Sequence, residues 1–172
     1  DAAGLQALFV EQATAAAATV EPLAEWAEVP AAVARFLAGH NLPSRIKVAP
    51  DPELAAIDWS LRPALEVARG RGEIDDVTSV TGCFAAVAET GTLVLVSGAE
   101  RPATLNFVPD NHVVVLRRSQ VVGCYEDAWD RLRAHGAGLP RTVNLVTGPS
   151  RTADIEQKVQ LGAHGPRRLH IL

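Results

Sequence analysis

The sequence predicts an α/β fold, a mainly parallel Rossmann-like sheet with helices on both faces. Three observations carry that expectation. Short apolar runs rich in Val, Ile and Leu recur between segments of helical periodicity. Two of these runs, Thr92 to Ser97 and His112 to Leu116, are apolar on consecutive rather than alternate positions, as strands covered on both faces are. The 172 residues, 48% of them hydrophobic, fit one domain spanning 1–172. A chain of that size buries roughly 70% of the surface it exposes when unfolded.

The elements follow in order. Residues 3–40 are Ala-rich, with Leu5, Leu8, Phe9 and Gln12 at helical spacing, then Leu23, Trp26, Val33, Phe36 and Leu37 in a second periodic stretch. This predicts two helices with a short strand, Ala18 to Val20, between them. Gly39 and Asn41 supply a left-handed stop for the second helix, and Ile46 to Ala49 reads as a strand closed by Pro50 and Pro52. Residues 51–78 mix Pro, Gly and charge with isolated Ile57, Trp59, Leu65 and Val67, which predicts loops and one strand near 64–68. Val80 to Ala88 reads as a helix of small residues, followed by the two apolar strands already named. Ala128, Trp129, Leu132 and His135 fall on one face of an amphipathic helix that stops at Gly136 to Gly138. Val143 to Thr147 is a third apolar strand running into Gly148-Pro149-Ser150, and Leu169 to Leu172 is a last one.

Composition excludes several classes of function. The net charge is −4 and the basic residues are scattered apart from pairs such as Arg117-Arg118 and Arg167-Arg168, so no stripe can follow a phosphate backbone and nucleic acid is not an expected partner. No apolar run approaches the roughly 18 residues of a membrane span, and no charged-then-apolar leader opens the chain. Cys83 and Cys124 stand far apart without CxxC spacing, so neither a disulfide framework nor a zinc site is expected. A reducing, cytoplasmic setting is the natural reading. The five histidines, His40, His112, His135, His164 and His170, show no i, i+4 pair or flanking carboxylate cluster, and no metal is expected.

The strongest chemical signal is Gly148-Pro149-Ser150-Arg151-Thr152-Ala153-Asp154-Ile155-Glu156, where an apolar strand ends and a helical turn is expected. Unpaired amides of a new helix, with the Ser150 and Thr152 hydroxyls and the Arg151 guanidinium, can hold an anion there. The plainer alternative makes Ser150 or Thr152 a helix cap and Asp154 a partner for the helix dipole. Glu89, in Ala88-Glu89-Thr90-Gly91-Thr92, is a carboxylate beside a glycine before a strand. It suits a nucleophile or general base, or simply an acceptor for a nearby turn. His164, in Gly162-Ala163-His164-Gly165-Pro166, joins a titratable ring to residues that permit close approach, or else sits in a solvated turn. Arg101 follows the strand after Glu89 and can neutralise a carboxylate or phosphate in the same cleft.

Taken together, the order Ala-Glu-Thr-Gly-Thr-Leu, Arg101, Pro109 before an apolar strand, the Gly148 to Glu156 string and the spaced His164-Gly165-Pro166 resembles the LUD-domain family of the lactate utilization protein C type. The resemblance covers the motif-bearing half, 79–172; the first half, 1–78, agrees only in its pattern of helices and strands. It implies the fold shared by sugar-phosphate isomerases and coenzyme A transferases, with a pocket at the strand ends. It also implies a part in bacterial growth on L-lactate, where three proteins together oxidise lactate to pyruvate. Family relatives hold iron–sulfur clusters in cysteine-rich segments. Two cysteines cannot furnish the four thiolates of a cluster, so no cofactor is expected in this chain and clusters are expected on partner subunits. The expectation is therefore a non-redox subunit that binds other lactate-utilization subunits or a small carboxylate or phosphate. The alternative is a self-sufficient acyl-transferase or isomerase-like enzyme using Glu89.

Overall fold

The computed structural model describes residues 1–136, 138–152, 160–162 and 164–172. Its main sheet is parallel throughout. It contains Thr19–Val20 (β1), Arg45–Val48 (β2), Glu66–Arg69 (β3), Thr78–Thr81 (β4), Asn111–Val114 (β7) and Arg168–Ile171 (β12), in the spatial order β1-β12-β7-β4-β2-β3. A second, four-stranded sheet joins Ala85–Val87 (β5), Thr92–Val96 (β6), Val121–Val122 (β8) and Val143–Val146 (β9), in the order β8-β5-β6-β9. Here β6 is antiparallel to both β5 and β9, and β8 is parallel to β5. Arg151–Thr152 (β10) and Gln160–Leu161 (β11) form a separate antiparallel pair.

The helices cover these sheets on faces that the sequence pattern fixes. Ala2–Ala15 (α1) starts at Asp1, whose carboxylate accepts from the Gly4 amide, and buries Phe9 and Ala13 between the two sheets beside Leu93, Leu95, Val114 and Ile171. Val29–Gly39 (α2) has Pro30 in its first turn and buries Val29, Ala32, Val33, Phe36 and Leu37, a helical stripe, against the opposite face of the main sheet. Each large side chain in that stripe contributes roughly 1.5–3 kcal/mol of burial. Asn41, in the left-handed conformation with φ 58°, ends it, and the Leu42 amide returns to the Leu37 carbonyl. The short Pro52–Ala55 (α3) lends Leu54 to the same core; Thr104–Phe107 (α4) leads to β7. Tyr125–Ala134 (α5) packs Ala128 on the outer face of the second sheet.

The predicted parallel sheet with helices on both faces is therefore present, with α1 and a second sheet sharing one of those faces. One local expectation is overturned. Val80 to Ala88 is not a helix: it forms β4 and β5, buried at every strand position. Ala86 and Ala88 face α1 and the main sheet while Ala85 and Val87 face α5, so the small side chains set a close spacing between layers and tertiary packing overrides alanine's helix preference. Val143 to Val146 is a strand, as expected. It is the edge of the second sheet, with Leu145 48% exposed. Trp129, placed on the buried face of α5 by its spacing, is 37% exposed.

At the carboxyl end of β2 the buried Asp51 carboxylate caps α3 through the Glu53 amide and meets Arg101 Nε at 2.9 Å. The crevice between β2 and β4, whose connections leave in opposite directions, is thus closed by an ion pair within the chain. Cys83, also buried, keeps its proton: burial pushes its thiol up to about 12.

Candidate functional site

A cleft of about 350 Å³ opens at the amino ends of β7 and β12, beside the end of β9. It brings together Gly148, Ser150, Arg151 and His164, four of the residues the sequence singled out. No Asp or Glu is among the described residues that line it. Arg151 and His164 are exposed at its rim, and Asn106 and His112 are buried in its wall.

The expected helix after Ser150 is instead strand β10, and its amides are not those of a free helix start. The Ser150 amide donates to the Pro166 carbonyl at 2.8 Å, and the Gly162 amide donates to the Ser150 carbonyl at 2.9 Å. Ser150 Oγ accepts from the His164 amide at 3.4 Å. With its backbone tied on both sides, the chain leaves Ser150 extended and pairs with returning β11. These bonds lock the 148–151 loop to the 164–166 loop. Among the described residues the Ser150 hydroxyl donates to no protein acceptor, so its proton is available to the cleft it lines.

Gly148 fixes the position of this loop. Its φ of +74° lies in the left-handed region, and a Cβ there would stand 2.0 Å from the Ala16 carbonyl oxygen at the end of α1. Thr147, one residue earlier, joins a hydroxyl chain with Thr92 and Tyr125 at 2.7 and 2.9 Å. Thr152 lies in β10, and Asp154, Ile155 and Glu156 lie outside the described residues.

His112 is the contributor that sequence reasoning passed over. It is 1% exposed, and its Nε2 stands 2.7 Å from Thr81 Oγ1. Burial pulls its pKa down to about 3, so it is neutral at pH 7 and presents an uncharged ring to the cleft. A signal existed: a histidine inside the run Asn111-His112-Val113-Val114-Val115 has to be buried with its polar atoms satisfied.

Glu89 and Arg101 stand apart from this cleft. The Glu89 carboxylate accepts from the Tyr125 amide at 3.3 Å, in the first turn of α5, and it is exposed. Arg101 meets a carboxylate, but one belonging to the chain itself. Glu89→Gln retains an acceptor oxygen at the helix start and should cost less than about 1 kcal/mol in urea denaturation. Among the described residues no cluster of three or more His, Cys, Asp or Glu has the placement to hold a metal ion. Among them, too, no helix is long and apolar enough to cross a membrane.

The architecture defines a two-sheet α/β domain with an arginine-bearing cleft beside its main parallel sheet, whose described lining holds no carboxylate. The LUD domain family model matches residues 4–172, and the chain belongs to that family. The match extends through the first half, where the sequence motifs gave no purchase. Lactate utilization protein C of Deinococcus radiodurans is 33% identical over 151 residues, covering 85% of this chain and 68% of that protein. An uncharacterized protein of Neisseria meningitidis is 40% identical over 92 residues, 54% of this chain and 40% of its own length. Lactate utilization protein C of Geobacillus thermodenitrificans is 36% identical over 85 residues, 48% of this chain and 35% of that protein. The matched stretch thus spans less than half of these last two relatives. In three dimensions the chain is similar to the crystal structure of a DUF162 family protein from D. radiodurans, with a TM-score of 0.72 and 26% identity, covering 99% of this chain and 96% of that one.

Proposed function

We propose that this chain is a non-redox component of a bacterial L-lactate utilization system and that its cleft holds a small carboxylate or phosphate. One observation carries the second part: Ser150, Arg151, His112 and His164 converge on a cleft whose described lining has no carboxylate. An anion held there gains a guanidinium fork and a hydroxyl donor without meeting a like charge among the described lining residues. Family membership and the names of the relatives support the lactate role.

Electron transfer is assigned to partner subunits in this reading. The chain's two cysteines are a buried protonated thiol in one core and a residue at the start of α5, a donor set that does not fit an iron–sulfur cluster. The role of Glu89 at the start of α5 gives no support to an acyl-enzyme mechanism on this chain.

The test is purification of the chain from its native host, with identification of what accompanies it, and assay of the isolated chain with L-lactate and a reducible dye. Iron–sulfur proteins are expected to co-purify, and the isolated chain is expected to be colourless and inactive. Lactate-dependent dye reduction by the pure, cofactor-free chain contradicts the proposal.

A further inference from the structure

At the opposite end of the main sheet, where β1, β7 and β12 finish, lies a larger cleft of about 460 Å³. We propose that it is a second binding site, for an organic anion that joins a carboxylate or phosphate to an apolar body. The inference does not rest on the function proposed above, because the two clefts share no lining residue.

The position comes first. Ligands of open α/β sheets bind beyond the carboxyl ends of parallel strands, where the connections leave room. Here β1 leaves towards α2 and β2 across the sheet, whereas β12 and β7 stay side by side, and the chain after β1 arches over the strand ends from Glu21 to Trp26. Chemistry comes second. The inner wall is apolar: Phe9, Val29, Val115 and Leu172 are all buried there. The rim is cationic, with Arg117 and Arg118 side by side after β7. Arg117 lies over the Trp26 ring, 4.4 Å from its centroid, which holds the guanidinium at the rim while its terminal N–H groups have no partner among the described residues. Its contact with Glu53, 3.4 Å between two half-exposed side chains, is of the kind that holds weakly. Arg118 has no hydrogen-bond or ion-pair partner among the described residues for its side chain.

Two acidic residues, Glu21 and Glu25, also line this cleft. Glu21 pairs with Arg35, while at Glu25 the backbone amide donates to the Glu28 carboxylate and the carbonyl accepts from the Glu28 amide. Neither carboxylate pairs with Arg117 or Arg118 among the described residues, which leaves the two guanidiniums for an incoming anion. Size sets the ligand class. A cleft of about 460 Å³ lies in the range of sites for small molecules of drug or cofactor size, and a three-carbon acid leaves most of it and its apolar wall uncovered. Burial of an apolar body against Phe9, Val29 and Val115, with its acid group on Arg117 and Arg118, uses both halves.

The intact chain should be titrated separately with octanoate, adenosine 5′-monophosphate and L-lactate while backbone amide shifts are followed. Octanoate or the nucleotide is expected to move the amides of Glu21 to Trp26 and Leu116 to Arg118 saturably. A response to octanoate alone assigns an aliphatic carboxylate, and a response to the nucleotide alone assigns a phosphate. Arg118→Ala, at an exposed position that leaves the core intact, is expected to weaken binding by about tenfold or more. The proposal is overturned if neither larger anion moves these amides, if Arg118→Ala binds as the native chain does, or if lactate binds there equally well. Shifts confined to residues 148–152 and 164–166 report on the other cleft and separate its fate from this one.

Discussion

Replacing Gly148 with alanine will lower the stability of the protein by about 3–5 kcal/mol and its melting temperature by about 10 °C. Two costs add. A side chain in the left-handed region, at φ +74°, costs about 1–2 kcal/mol. The larger part is steric: the new Cβ would be 2.0 Å from the Ala16 carbonyl oxygen, a backbone atom that cannot swing aside. Either α1 or the 148–151 loop has to move. Since Ser150 ties that loop to Pro166 and Gly162, the same shift will open the cleft and weaken any anion held by Arg151. Thermal melts followed by circular dichroism check the prediction. A melting temperature within two degrees or so of the native value would mean that the α1 end and the loop are not in contact in solution.

The second large effect is on acid stability. The folded state holds His112 with its pKa pulled down to about 3 by burial, against an ordinary value near 6.5 once the chain unfolds. Between those values the unfolded chain takes up a proton that the native state refuses. Stability is therefore full above pH 6.5 and falls as the pH drops, until the native ring also protonates near pH 3. At about 1.4 kcal/mol per pH unit this amounts to about 2 kcal/mol by pH 5. His170, whose pKa is also lowered chiefly by burial, acts in the same direction. Urea midpoints measured at pH 7 and pH 5 will show the loss, and His112→Gln will make it shallower even though it is less stable at pH 7. Equal losses in the two proteins would remove His112 as the cause.

Much of the architecture was legible because it depends on local patterns. The strands at Ile46, Thr92, His112 and Leu169 were marked by β-branched runs between breakers, and the end of α2 by Asn41. What stayed hidden depends on neighbours distant in sequence. Ala85 to Ala88 looks helical until two layers are seen to press on it from either side. Val143 to Val146 is as apolar as a central strand, and only the strand order makes it an edge. The turn after Gly148 reads as a helix start because Gly-Pro-Ser suits one, yet the amide of Ser150 is taken by Pro166, sixteen residues further on.

The site divides in the same way. Ser150, Arg151 and His164, singled out from a motif, line one cleft, and the anion chemistry expected of helix amides is proposed here for side chains. His112 was overlooked because it was weighed as a metal ligand, by spacing to other histidines, and not as a polar residue that a buried strand has to accommodate. Glu89 and Arg101 were drawn towards the cleft by their place in the chain order. The fold sends Glu89 to the start of α5 and Arg101 to Asp51.

Titration of the intact chain with L-lactate and with inorganic phosphate, read by backbone amide shifts, tests the anion cleft most directly. At millimolar ligand the amides of Gly148, Ser150, Arg151, His164 and Gly165 are expected to move together and to saturate. Removal of the guanidinium in Arg151→Ala takes away charge-assisted hydrogen bonds worth about 1.5–3 kcal/mol and is expected to weaken binding about tenfold or more. Amides at these positions that stay fixed for both ligands, or that respond equally in Arg151→Ala, contradict the account.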